Sequence, residues 1–498
     1  MTTAVTKNLL DVSNTKHPKQ LYLLFFTEMW ERFSFYGMKA LLLAYMVTQL
    51  KFDEPKGYAI LGSYAALVYT MPMFGGMLAD KFLGYRRAVT FGGILMTIGH
   101  LVMAIPQQWS FFFGMAFIIC GNGFFKPNIS SMVGTLYSNN DPRKDSAFSI
   151  FYMGINIGAA LGGLLCGYVG QRINWHYGFG LAGIFMILGL VVFTIGKKSL
   201  GKKGLPPNVA NLNKKQFGFI TTEHLIYGLS LLIIPLIVLV FNKYGVMDYI
   251  MFGLGLASLI YIIFIGFKLQ NDEKLKLFAA LIMIIFSTLF WAFYEQNSGS
   301  LNLFAMRNVN MRVGTANLPA LAVNNFLPPG WVVILSFVFA WLWPWLHKRK
   351  LEPSTPLKFA LSFVLMGIGF YIFYLGCKAS ETGLISLWYF VAGYFFIISG
   401  EMCLSPIGLS MITKLSPVNI VAMMMGIWFF ASAIGEFLAA KIGALMSVPA
   451  AIAEANNPAA SLPYYADILS KIGMLSIGLG IVLALFVPVI QKWMGDVR

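Results

Sequence analysis

Two glutamates, an arginine and a lysine interrupt an apolar run from Leu21 to Leu50, in the order Glu28, Glu31, Arg32 and Lys39. Inside a bilayer each such charge costs at least ~2.5 kcal/mol unless it pairs or meets water. At about 100° per residue, Glu28, Arg32 and Lys39 fall within roughly 40° of one another, with Glu31 about 60° to one side. Snorkelling accounts for a charge near a helix end, not for four along one helix face. Isolated charges recur downstream, each inside an apolar segment: Lys126 in Gly-Phe-Phe-Lys-Pro-Asn, Glu295 in Phe-Trp-Ala-Phe-Tyr-Glu-Gln, and Glu401 in Ser-Gly-Glu-Met-Cys-Leu-Ser-Pro. Ionisable residues retained at membrane depth mark ion and substrate paths.

The elements that must position these charges are membrane spans. The chain has 498 residues, of which 58% are hydrophobic and only 11% charged, against about 25% charged in soluble domains. Fourteen apolar segments, from 20–50 to 468–491, each approach or exceed the ~20 residues a spanning helix needs. Internal prolines such as Pro72, Pro127 and Pro235 are compatible with membrane helices, whose neighbours re-satisfy freed backbone groups. The net charge of +16 does not point to nucleic acid, because the basic residues collect in alternate loops: Arg86 and Arg87, Arg143 and Lys144, the lysines between Lys197 and Lys215, Lys274 and Lys276, and Lys348 to Lys350. By the positive-inside rule these loops and both termini are expected to be cytoplasmic. The basic linker divides the chain into residues 1–196 (six spans), 197–222 (linker), 223–267 (a nearly uncharged helix pair) and 268–498 (six spans). Two six-helix halves with an inserted pair would hold a substrate near the midplane, between the halves.

From Gly75 the chain reads Gly-Gly-Met-Leu-Ala-Asp-Lys-Phe-Leu-Gly-Tyr-Arg-Arg, which resembles the loop signature of the major facilitator superfamily. That resemblance implies a conformational role for Asp80, Arg86 and Arg87. The Glu-x-x-Glu-Arg-Phe motif at Glu28, the segment Phe148 to Ala160 and the segment Phe290 to Gln296 are similar to the proton-coupled oligopeptide transporter family, over a match reaching from Glu28 to about Glu436. The resemblance implies an all-α polytopic membrane protein of the major facilitator fold, with fourteen transmembrane helices.

Carried over position by position, the resemblance makes Glu28, Glu31, Arg32 and Glu295 the proton-coupling residues. It places Tyr36, Lys39, Tyr69, Lys126, Asn156, Trp291, Glu401, Ser405, Trp428 and Phe429 around the substrate. Lys126 and Glu401 are expected to face each other across the cavity, suited to the carboxylate and the amine of a zwitterionic peptide, and Lys39 to pair with Glu295. Three departures bear on contact detail: Phe35 stands where a tyrosine is common, Pro328 where bacterial relatives often carry asparagine, and Tyr294 where an acidic residue precedes Glu295. Lys39 occupies a position where many bacterial members have arginine, so a bidentate contact gives way to a point charge.

Cys120, Cys166, Cys377 and Cys403 lie inside spans without metal or redox spacing, the histidines are scattered, and no glycine-rich stretch resembles a phosphate loop. Neither an enzyme nor an ATP-driven pump is expected. The reading is a bacterial inner-membrane symporter importing di- and tripeptides with protons by alternating access. Its partners are peptides, protons and the bilayer; a single chain is expected to suffice, and no cofactor is expected beyond the proton gradient. A carrier of an anion or another small solute on the same scaffold is the competing reading.

Overall fold

The computed structural model describes residues 16–138, 141, 143–417 and 420–495. The two ends of the chain, and so the expectation about where the termini lie, fall outside the described residues. Helices α1 (Lys19–Thr48), α2 (Glu54–Leu78), α3 (Gly84–Met103), α4 (Gln108–Thr135), α5 (Lys144–Arg172) and α6 (Trp175–Gly196) form the first half. A short helix α7 (Val209–Asn213) lies in the basic linker, and α8 (Thr222–Asn242) and α9 (Gly245–Gly266) form the inserted pair. The second half comprises α10 (Asn271–Tyr294), α11 (Ser300–Asn308), α12 (Ala320–Lys348), α13 (Thr355–Ala379), α14 (Leu387–Leu415), α15 (Val421–Ala444), the short α16 (Ala450–Glu454) and α17 (Pro458–Met494). Among the described residues, eleven segments are long and apolar enough to cross a membrane by length and composition alone. The helices α1, α2 and α3 bring the membrane-length total to the expected fourteen. Buried charges lower the apolarity of α1, and glycines, tyrosines and basic residues that of α2 and α3.

Within the first half α1 packs on α5 and α6, and α3 packs on α4 and α6; within the second, α13 packs on α14 and α17, and α10 on α15. The halves meet where α2 crosses α15 and α5 crosses α12. Close helix approach in membranes depends on small residues, and Gly158 shows why: a Cβ there would stand 2.2 Å from the Met29 carbonyl oxygen and 3.1 Å from the Arg32 Cβ. Any larger residue would push α5 away from the charged face of α1.

The segment expected as one span, 277–304, is broken. After Tyr294 the chain makes a 3-10 turn over Glu295–Ser298 and restarts as α11 beyond Gly299. The run Glu-Gln-Asn-Ser-Gly is the cause: polar side chains compete for backbone groups and glycine weakens a helix. The inserted pair is also less isolated than its apolar sequence suggests. Glu223 of α8 pairs with Arg87, and Asp248 of α9 pairs with Lys441 of α15 at 2.7 Å, so the pair is tied to both halves.

At the end opposite the basic loops the halves are joined by polar contacts. Arg307 donates to Glu54 Oε1 at 2.5 Å and to the Tyr465 hydroxyl at 2.9 Å, while the Val448 amide donates to Glu54 Oε2 at 3.0 Å. Arg172 donates to the Asn317 carbonyl at 2.7 Å. Toward the basic-loop end, Phe148 and Tyr152 lie on the same face of α5 as Asn156, and Met73 and Met77 continue the Tyr69 face of α2; all four are exposed. The molecule is closed at one end and open toward the basic loops.

Candidate functional site

A cavity of about 410 Å³ lies between the halves. All ten residues expected around a substrate line it: Tyr36 and Lys39 from α1, Tyr69 from α2, Lys126 from α4, Asn156 from α5, Trp291 from α10, Glu401 and Ser405 from α14, and Trp428 and Phe429 from α15. Tyr152, Tyr294, Asn325 and Pro328 join them. The i, i+4 spacing of Tyr152 and Asn156, and the two faces of α14 and α15, put these side chains toward one space because residues four apart share a helix face.

Lys126 and Glu401 form no ion pair. They occupy opposite walls: Lys126 Nζ lies 4.3 Å from the centroid of the Tyr69 ring, within the first half. Glu401 instead accepts the Tyr294 hydroxyl at 2.6 Å and the Ser405 hydroxyl at 3.4 Å. The two therefore face each other across the cavity without touching, each held by neighbours of its own half. A cation over an aromatic face and a carboxylate held by hydroxyls are each stabilised without the other, and both remain available to a bound molecule. Tyr294, a departure from the family pattern, thus supplies the donor that holds the Glu401 carboxylate.

Behind the cavity, α1 presents its charged face. Arg32 Nε lies 3.1 Å from Glu28 Oε1 and also bonds Glu31 through two nitrogens, with all three side chains buried. Two carboxylates thus share one guanidinium, and Glu28 Oε2 has no hydrogen-bond partner among the described residues. An orphaned buried carboxylate oxygen is a place where a proton relieves cost. Phe35 is buried beside Arg32, with the guanidinium 5.2 Å from its ring centroid, and does not reach the cavity.

Lys39 donates to Glu295 Oε2 at 3.0 Å, the expected pair, but it also meets Glu436 of α15 at 2.9 and 3.2 Å. The break after α10 delivers Glu295, whose Oε2 also accepts the Ser298 hydroxyl at 3.1 Å. Glu436 was not singled out from the sequence, although it carried the same signal as Glu401: one carboxylate in an apolar run, Ala-Ile-Gly-Glu-Phe-Leu-Ala-Ala. Pro328 reaches the cavity, and of the two asparagines a turn earlier only Asn325 does so, while Asn324 is buried and accepts the Tyr394 hydroxyl at 2.5 Å.

The loop residues lie apart from the cavity. Asp80 is exposed in a π-helical turn over Ala79–Leu83. Arg86 donates to the Gly201 carbonyl at 2.6 Å, and its amide to that of Gly204 at 2.9 Å. Gly84, with φ of +68°, closes the turn within 2.5 Å of the linker backbone at Leu205 when a Cβ is built on it. The loop is therefore fastened to the linker and, through Arg87, to the inserted pair.

Two helical bundles around a central cavity, with ionisable groups beneath it on both sides, define a secondary transporter of the major facilitator fold. The model of the POT family matches residues 86–458. The chain is 38% identical to the uncharacterized transporter YclF of Bacillus subtilis, over 97% of this chain and 96% of the relative. It is 35% identical to a di-/tripeptide transporter of Lactococcus lactis, over 97% of each. Among solved structures it is similar to a peptide transporter POT crystallised with sulfate, at 35% identity, a TM-score of 0.81 and 96% of each chain covered. The chain belongs to the POT family.

Proposed function

We propose that this protein is a proton-coupled symporter that imports di- and tripeptides by alternating access. The observation that carries the reading is the cavity itself: on opposite walls stand an ammonium at Lys126 and a carboxylate at Glu401, neither with an ion-pair partner among the described residues, and aromatic and amide side chains lie between them. A peptide zwitterion presents the complementary two charges at its ends. Trp291, Trp428, Phe429 and Tyr36 offer apolar rings that accept varied side chains without demanding one. Lys126 holds the peptide carboxylate and Glu401 its amine, with Ser405, Asn156 and Tyr69 beside them. Ligand binding across both walls draws α4 and α14 together, which closes the end now open.

Protons bias the opposite end. Glu28 and Glu31 compete for Arg32, and a proton on either relieves that competition; protonation of Glu295 weakens its hold on Lys39 and so the seam between α1 and the second half. Asp80, Arg86 and Arg87 couple the first half to the linker during the movement. The proton gradient is the sole driving force, without a cofactor. We assign the boundaries 1–196, 223–267 and 268–498 to the two bundles and the inserted pair, and the inner membrane as the location, with the basic loops and termini cytoplasmic. We assign a single chain as the working unit, although a similar solved structure, PepTSo2, is tetrameric. The test is uptake of labelled dialanine into proteoliposomes under an inward proton gradient, with labelled nitrate as the competing solute. Accumulation of dialanine above the external concentration is expected; accumulation of nitrate alone would favour the anion carrier.

A further inference from the structure

Lys39 is shared by two carboxylates, Glu295 and Glu436, which approach it from different elements of the second half. Both touch one nitrogen, so their oxygens stand no more than about 6 Å apart, a separation at which like charges disfavour each other's ionisation. Glu436 makes the fuller contact, through both oxygens, and is only 6% exposed. It does not line the cavity. The titratable and charged groups that face it are Lys39 and Tyr36 of α1, Tyr64 and Tyr69 of α2, Lys126 of α4 and Glu295. Lys441, on its own helix, is engaged by Asp248. With both acids ionised, Lys39 and its two carboxylates sum to one negative charge, and Glu436 is the member set back from the cavity.

We infer that Glu436 is a second proton-accepting group of the coupling machinery, sharing with Glu295 the one proton that the Lys39 cluster takes up. The inference rests on the proton-coupled reading above. In the shared arrangement a proton on Glu295 leaves Lys39 still bound to Glu436, so the seam is loosened without freeing a buried ammonium. A proton on Glu436 leaves Lys39 on Glu295, at the cavity wall. The proton enters from the outer side, resides on either carboxyl and leaves to the cytoplasm when Lys39 re-forms both contacts. Glu436→Gln removes the neighbouring charge, so Glu295 and Lys39 become an electrically balanced pair that has less need of a proton. A unit charge about 6 Å away at an effective dielectric constant of about 20 changes a proton equilibrium by about a hundredfold, and water at the cavity wall reduces that to at least about tenfold.

The experiment measures proton-driven dialanine uptake against external proton concentration in proteoliposomes, divided at each point by counterflow to normalise for folded carrier. In Glu436→Gln the half-maximal proton concentration should rise at least about tenfold, while Glu436→Asp, which keeps the charge, should stay nearer to wild type. A Glu436→Gln curve that superimposes on wild type would overturn the inference alone. A wild type without proton dependence would overturn the proposed function and this inference with it. Should the variant not accumulate, the wild type decides: dicyclohexylcarbodiimide modifies membrane-embedded carboxyls that carry a proton, and mass spectrometry should find both Glu295 and Glu436 labelled at acid pH and protected at alkaline pH. Labelling of Glu295 with Glu436 unmodified at every pH would exclude a proton on Glu436.

Discussion

Blocking one end of a dipeptide should act as a perturbation of one wall of the cavity. Among the described residues, Glu401 has hydroxyl donors from Tyr294 and Ser405 but no cation within 4 Å, and Lys126 has an aromatic face but no carboxylate within 4 Å. Each wall therefore offers one full charge-assisted contact to a zwitterion, and such a contact contributes roughly 1.5–3 kcal/mol. At about 1.4 kcal/mol per tenfold, N-acetyl-dialanine and dialanine amide should each bind about tenfold to a hundredfold more weakly than dialanine. The assay is competition against labelled dialanine in proteoliposomes, read as inhibition constants. In Glu401→Ala the penalty for N-acetylation should shrink toward unity while that for amidation persists; in Lys126→Ala the reverse should hold. Such non-additivity marks a shared contact. If both substitutions weakened free and blocked peptides by one common factor, Lys126 and Glu401 would be acting on conformation and not on the peptide's ends.

Glu31→Gln, and separately Glu28→Gln, should abolish proton-driven accumulation while sparing peptide counterflow, since an amide of equal size keeps the packing but takes no proton; accumulation surviving in both would remove the α1 cluster from coupling. Arg307→Ala strands the buried Glu54 carboxylate, and losing one partner of a buried pair costs about 3–5 kcal/mol, so the variant should expose the outer end, read as faster labelling of a cysteine at Tyr58 by an impermeant maleimide. Unchanged labelling would show that the Glu54 contacts do not hold that end shut. In a cysteine-free background, single cysteines at Asn211 and Asn317 should label from opposite sides of the membrane; equal labelling from outside would overturn the orientation.

The cavity walls were legible in the sequence because a charge inside an apolar span has few structural excuses: Lys126, Glu295 and Glu401 all reach the site. Which charges touch which was not. Side-chain spacing puts Glu28 and Arg32 on one face of one helix, but whether Lys126 meets Glu401 depends on the separation of two bundles, and that is a property of the conformation. Glu436 has the same character as Glu401, an isolated carboxylate in an apolar run, but its partner Lys39 lies 397 residues away in α1 and only the packing of the two halves brings them together. The break at Glu295 was signalled by five consecutive polar or small residues, outweighed in the reading by the apolar flanks. The ties of the inserted pair to both halves rest on Glu223 and Asp248, single charges at helix starts that look solvated until their partners are known.

Coupling itself has a single decisive readout. Proteoliposomes loaded with a pH-sensitive dye, with equal pH on both sides and the membrane potential clamped at zero, receive an inward gradient of dialanine alone. The lumen should acidify as dialanine enters, and the acidification should vanish in Glu31→Gln vesicles whose counterflow persists. Dialanine entry at the wild-type rate with no change in luminal pH would contradict proton-coupled symport.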